Sequence, residues 1–256
     1  MSRPRKKAGF SQGIYEQSVT QKEKLGTVRE LDDGRTFVYC KNGAAALAAG
    51  TVLGTAISAG ETEDTVTVAH PVGTKVITMT DDGGGIAAGA LREGRLVVND
   101  GGGAGEVYEI VGNTAAGAGA TFLITLGTGL ATAWVIATTD ITAFPNKYNG
   151  VVANPADGQR LPVGVAQRIV AADNYFWAQV LGDGAMLIDV NGAAAGLEND
   201  EKIITPSLNH AGFGYVDGSP DAAAVLVAFT HYIGYILQEL DHVDNEAMLV
   251  NIRIGL

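Results

Sequence analysis

The stretch from Pro162 to Val190, PVGVAQRIVAADNYFWAQVLGDGAMLIDV, constrains this chain more than any other. From Tyr175 to Leu181 the side chains alternate, with Tyr175, Trp177, Gln179 and Leu181 on one side and Phe176, Ala178 and Val180 on the other. A period of two over this length is the mark of a strand, and aromatic rows on strands build cores. Val163, Val165, Gln167 and Ile169 alternate in the same way before Ala172-Asp173-Asn174, whose small and Asx residues suit a hairpin turn. Gly182-Asp183-Gly184 reads as a second turn, with a third strand returning from Ala185 to Val190. The stretch therefore predicts a three-stranded meander at the centre of the fold. Its expected core residues are Val163, Val165, Tyr175, Phe176, Trp177, Val180 and Leu187, joined from the C-terminal part by Ile236, Leu249, Ile252 and Ile254.

Elsewhere the chain is built from small residues. Its 35 glycines among 256 residues are about twice ordinary usage. They sit between short alternating runs, at Asp81-Asp82-Gly83-Gly84-Gly85, Gly101-Gly102-Gly103 and Gly117-Ala118-Gly119. Those runs are Arg35–Cys40, Thr65–His70, Lys75–Thr80, Leu91–Val98, Glu106–Val111, Thr121–Leu126, Ala131–Ala137 and Met248–Leu256. Helical surface patterns of Glu and Lys four apart are scarce. The expectation is a mainly β protein, an antiparallel β-sandwich or β-barrel. It would have an arm over residues 1–25 and a body over 26–256, divisible into 26–155 and 156–256. Ala143 to Asn154 reads as a loop. Ser219-Pro220-Asp221 resembles a helix start and predicts one short helix near 220–229, with a strand at Thr230 to Gln238 as the competing reading.

Charge is unevenly placed. Residues 1–24 hold six of the 17 basic side chains (Arg3, Arg5, Lys6, Lys7, Lys22, Lys24) and only two of the 28 acidic ones. The remaining 11 basic and 26 acidic residues make an acidic body. Such a body argues against nucleic acid as the main ligand, because phosphate binding needs a basic surface. The basic head reads as an arm that docks on an acidic partner, as a solvated tail, or as a nucleic-acid contact. The basic start is not followed by an apolar run, so no signal peptide is expected. The uncharged runs Asn42–Gly60 and Ile110–Thr139 are too rich in Ala, Gly and Thr for spanning helices. These readings predict a protein made in the cytoplasm with no membrane partner.

Chemistry is sparse. The glycine runs lack the Lys-Ser/Thr pair of a phosphate loop. His70, His210, His231 and His242 show no HxxxH or HExxH spacing, and Asp241-His242-Val243-Asp244 reads as an acidic loop before a metal cluster. No G-x-S-x-G elbow occurs, and Cys40, the single cysteine, reads as a small buried hydrophobe. No catalytic, cofactor or metal residue is expected, and no enzyme.

Four stretches carry a family resemblance: IAAGALREGRLVVNDGGGAGEVYEI, FPNKYNGVV, LPVGVAQRIVAADNYFWAQVLGDGAMLI and IGYILQELDHVDNEAMLVNIRIGL. Their order resembles the capsid decoration (cement or head-stabilising) proteins of tailed bacteriophages, marine ones especially. The resemblance covers roughly residues 86–256, with Asn42–Leu53 a weaker match. It implies a β domain on the outside of an icosahedral shell, a homotrimer at threefold or quasi-threefold sites that binds the major capsid protein and clamps capsomers. The localisation implied is the virion. Capsid contacts are then expected in the arm, at Arg3, Arg5, Lys6, Lys7, Phe10, Tyr15, Lys22 and Lys24, by strand addition or ion pairing. Another virion component (head fibre, spike or tail subunit) and a carbohydrate-binding β-sandwich are the alternatives. The insert 191–219 has no counterpart in the family.

Overall fold

The computed structural model describes residues 9–56, 61–155, 160–189, 203–207, 211–216, 233–237 and 247–255. Among them the regular structure is all strand. In chain order the strands are β1 (Gln17–Ser18), β2 (Val28–Glu30), β3 (Thr36–Asn42), β4 (Val52–Gly54), β5 (Glu61–Thr65), β6 (Val76–Thr80), β7 (Arg95–Asp100), β8 (Val107–Asn113) and β9 (Thr121–Leu126). They continue with β10 (Asp140–Phe144), β11 (Asn149–Ala153), β12 (Pro162–Ala166), β13 (Tyr175–Asp189), β14 (Ile203–Pro206), β15 (Gly214–Val216), β16 (Gly234–Ile236) and β17 (Ala247–Arg253). The helix expected near 220–229 lies outside the described residues, and of the insert 191–219 only the parts that carry β14 and β15 are described. Of the competing strand at 230–238, Gly234–Ile236 is present as β16.

The chain forms two compact units, Met1–Ala56 with Tyr148–Leu256, and Ile57–Lys147 between them. The division therefore falls at an insertion, not near residue 155. Neither crossing point, at residues 56–57 or 147–148, carries a shift in composition, which hides them in the sequence.

The first unit is organised on β13, which differs from the expected meander. Gly182-Asp183-Gly184 is not a turn: β13 runs unbroken for 15 residues and changes partners there. Before this point Tyr175–Leu181 pairs with β3, and beyond it Leu181–Leu187 pairs with β17. Pairing of β3, β13, β12, β4 and β11 closes one ring, the β11–β3 seam being parallel. Pairing of β13, β17, β16, β14 and β15 closes a second, its β15–β13 seam again parallel. One long strand thus serves two small barrels. Gly182 has φ +88°, and a Cβ there would also crowd Arg35, so glycine is what the bend tolerates. The side-chain amide of Gln179, wholly buried, donates to the carbonyls of Leu181, Gly182 and Asp183 at 3.0–3.1 Å and fixes the bend. Gln167 supports it by accepting the N–H of Ala185 and donating to its carbonyl, both at 3.0 Å.

The period of two on β13 holds, and both of its faces are covered from Phe176 to Val180. Phe176, Ala178, Val180, Met186 and Ile188 enter the main core with Val163, Val165, Val250, Ile252 and Ile254. Trp177 packs on the other face with Phe37 and Tyr39. Two expected core residues are on the wrong side: Leu249 is 47% exposed, because alternation sends its neighbours Met248 and Val250 inward. For the same reason Leu187 is only half-buried between Met186 and Ile188, and Tyr175 is half-buried on the rim. Ile236 lies in β16, but its side chain is outside the described ones. Ala143–Asn154, expected as a loop, contains the end of β10 and all of β11.

The second unit is a six-stranded sheet in the order β5-β10-β7-β8-β9-β6. Its core gathers Ile77, Met79, Leu96, Val98, Ile110, Phe122, Ile124, Leu126 and Trp134. Ala131–Ala137, expected as a strand, contributes only an isolated bridge from Trp134 to His70. Asp81 holds one end of this unit together, its Oδ2 accepting the N–H groups of Gly83 and Gly85 at 2.9 Å and of Gly119 at 3.0 Å. Loop amides that would cradle a phosphate are thereby spent on the protein's own carboxylate.

Candidate functional site

The arm residues expected to reach a partner divide sharply. Arg3, Arg5, Lys6 and Lys7 lie outside the described residues. From Gly9 onward the segment is part of the first unit's fold, laid as a strap across the outer face of β3 and β13. Phe10 meets Trp177 edge to face with centroids 5.2 Å apart, and the Arg29 guanidinium sits 4.8 Å from the Phe10 centroid. Gln12, only 2% exposed, ties the strap down. Its Oε1 accepts the Tyr39 hydroxyl at 2.8 Å, and its Nε2 donates to the Tyr175 carbonyl at 3.1 Å. Its own carbonyl accepts from Trp177 Nε1 at 3.2 Å and from Arg29 at 2.9 Å. Next along the strap, β1 pairs Gln17 with Phe176 and Ser18 with Tyr175. Burial under the strap pushes the Tyr39 phenol above its ordinary value, with the backbone bonds to Lys22 and Glu23 pulling the other way.

Phe10 is therefore a packing residue and not a free contact. Tyr15 is exposed, with its hydroxyl accepting from Arg35 at 2.8 Å and its carbonyl accepting from Arg168. Lys22 and Lys24 are exposed, although the Lys22 backbone N–H is held by the Tyr39 hydroxyl at 3.1 Å. Pattern reading missed Gln12, because one buried glutamine in a polar, aperiodic segment gives no local signal.

Beside the strap, where β13 bends, an open groove of about 580 Å³ runs between the Asp33–Arg35 turn and the β17 residues Asn251 and Arg253, with Leu181 exposed within it. Arg35 binds Asp33 at 2.7 Å, which lowers the carboxyl below its usual value and raises the guanidinium. Opposite, Asn251 bridges Asp183 at 2.8 Å and Arg253 at 3.1 Å, and Arg253 also lies over the Tyr235 ring at 5.3 Å. Both cations have partners within the chain, so the groove is electrically balanced and suited to polar docking, with no nucleophile and base in line. Among the described residues no three His, Cys, Asp or Glu side chains come together to hold a metal. Cys40 is buried in the ring core, as a small hydrophobe would be.

Comparison with models of known protein families, with curated proteins and with solved structures finds no match.

Proposed function

We propose that this chain is a structural decoration protein of a tailed-phage capsid. It acts without catalysis, binding the major capsid protein on the outer shell as a homotrimer at threefold or quasi-threefold sites. The observation that carries the reading is where the resembling stretches fall. They contain β7 and the start of β8 in the inserted unit, nearly all of β11 and of the shared strand β13, and β16 and β17 that pair in the second ring. The resemblance thus touches strands of both units, not one loop.

The strap gives this reading a mechanism. Phe10 is fixed on Trp177, and Lys7, Lys6, Arg5 and Arg3 precede it by three to seven residues. A chain spans at most about 3.5 Å per residue, so the Cα atoms of all four stay within about 25 Å of that anchor. A basic cluster leashed this closely to an acidic body pairs with acidic shell residues at a high effective concentration. The test is binding of the full chain to expanded shells alongside the variant in which Arg3, Arg5, Lys6 and Lys7 are all alanine. The expected result is weaker binding with a flatter dependence on salt. Equal occupancy and equal salt dependence would remove the arm from the mechanism, and absence of binding by either chain would remove the reading itself.

A further inference from the structure

Five seams of the inserted unit's sheet are ordinary strand pairings. The sixth, which would close the sheet into a barrel between β5 and β6, is spanned by side chains. Asp64 Oδ2 accepts the Thr80 N–H at 2.6 Å, and His70 Nε2 accepts the Thr78 N–H at 3.4 Å. The chain beyond β5 stays beside the 134–139 segment through Val66 N–H to the Thr139 carbonyl and the His70–Trp134 bridge. This carries His70 to the far end of the seam. His70 is 5% exposed, and its imidazole stands edge to face against Trp134, with centroids 6.0 Å apart.

An imidazole that accepts at Nε2 carries its proton on Nδ1. A second proton, arriving at Nε2, puts a donor against the Thr78 N–H and a charge where water is excluded. We propose that the β5–β6 seam is a proton-operated latch, closed while His70 Nε2 accepts the Thr78 N–H and opened when that nitrogen is protonated. Thr78 faces the imidazole from β6 and Trp134 from the opposite segment. Lys75 precedes β6, and Tyr108 meets Trp134 edge to face with centroids 6.1 Å apart. The acidic groups, Asp64 with Asp82 and Asp140, gather at the other end of the seam. Burial alone holds His70 below its ordinary value of 6.5. A histidine depressed in the folded state stabilises the fold fully above the unfolded value, and that stability drains as pH falls towards the folded one. Asp64 behaves differently: burial raises its carboxyl, and the protonated acid keeps a carbonyl oxygen for Thr80. Acid therefore opens the seam from the His70 end, and freed backbone groups on β6 become a strand edge available for pairing with another chain.

Amide hydrogen exchange on the full-length chain between pH 7.5 and 5, read by NMR and corrected for intrinsic rates, tests the latch. Thr78 protection should fall by up to about tenfold per pH unit between 6.5 and the depressed folded value of His70, one proton's linkage, with the closed-state imidazole signals titrating only at the lower end of that fall. In His70→Gln, whose Oε1 still accepts but does not titrate, Thr78 protection should be flat across the range. Protection at Thr78 that ignores pH in the natural chain overturns the proposal, and so does a dependence that survives in His70→Gln. The natural chain decides alone if the variant fails to fold.

Discussion

Replacing Gln179 by leucine tests whether one side chain holds the bend that lets β13 serve two rings. The amide has two protons for three carbonyls, those of Leu181, Gly182 and Asp183, so at most two full hydrogen bonds are lost. Two neutral bonds amount to about 2 kcal/mol, a carbonyl left dry adds about 1–3 kcal/mol, and removing the buried, unpartnered Oε1 returns about 1 kcal/mol. The net expected loss is about 2–4 kcal/mol from the first unit. The two tryptophans make the assay specific, since Trp177 lies in the first unit and Trp134 in the second. Urea unfolding of Gln179→Leu in a Trp134→Phe background, followed by Trp177 fluorescence, should show the loss. The same change in a Trp177→Phe background, followed by Trp134, should leave the second unit unaltered. A first-unit loss below about 0.5 kcal/mol, ordinary for a surface substitution, would refute the reasoning.

Three further outcomes follow from the same geometry. Truncation of residues 1–18 uncovers Trp177 and Tyr39 and should red-shift Trp177 emission and cost the first unit about 2–4 kcal/mol in urea unfolding, whereas truncation of residues 1–8 should cost less than 0.5 kcal/mol. Gly101→Ala must accept φ +79° and drive its Cβ into the Thr138 carbonyl oxygen. It should destabilise the second unit by about 2 kcal/mol or more, seen by Trp134 fluorescence with the Trp177 transition unmoved. Asp64, raised by burial and by Asp82 and Asp140, is held most comfortably as the neutral acid, so its contribution is largest below 3.8 and is lost as pH rises through its raised value. Asp64→Asn, which keeps an acceptor for Thr80, should therefore stabilise the second unit at pH 7, with the gain shrinking towards pH 4 in parallel unfolding curves.

Much of the β13 story was legible because alternation is local. Tyr175 to Leu181 announces two faces, and the structure buries one in the ring core and the other under the strap. The same local view misled at Gly182-Asp183-Gly184, since glycines at a strand bend and glycines in a turn look alike until the partner strands are known. It also placed Leu249 in the core with Ile252 and Ile254, although an odd spacing sets opposite faces. Long-range pairing was invisible: Gln12 meets Tyr175 across 163 positions, and the fate of the strap depends on that bond. The bridging roles of Asp64 and His70 were hidden for a different reason: β6 is the next strand, 16 and 8 positions on, and two adjacent alternating runs suggest an ordinary backbone pairing, not side chains that stand in for one.

Cosedimentation of the purified chain with expanded, undecorated phage shells, with unexpanded proheads and shell-free controls beside them, tests the proposed function most directly. Saturable binding to expanded shells is expected at a fixed ratio to the capsid subunit, with a stoichiometry of three chains per threefold or quasi-threefold site. Absence of binding to expanded shells, or binding that never saturates, would contradict the proposed function.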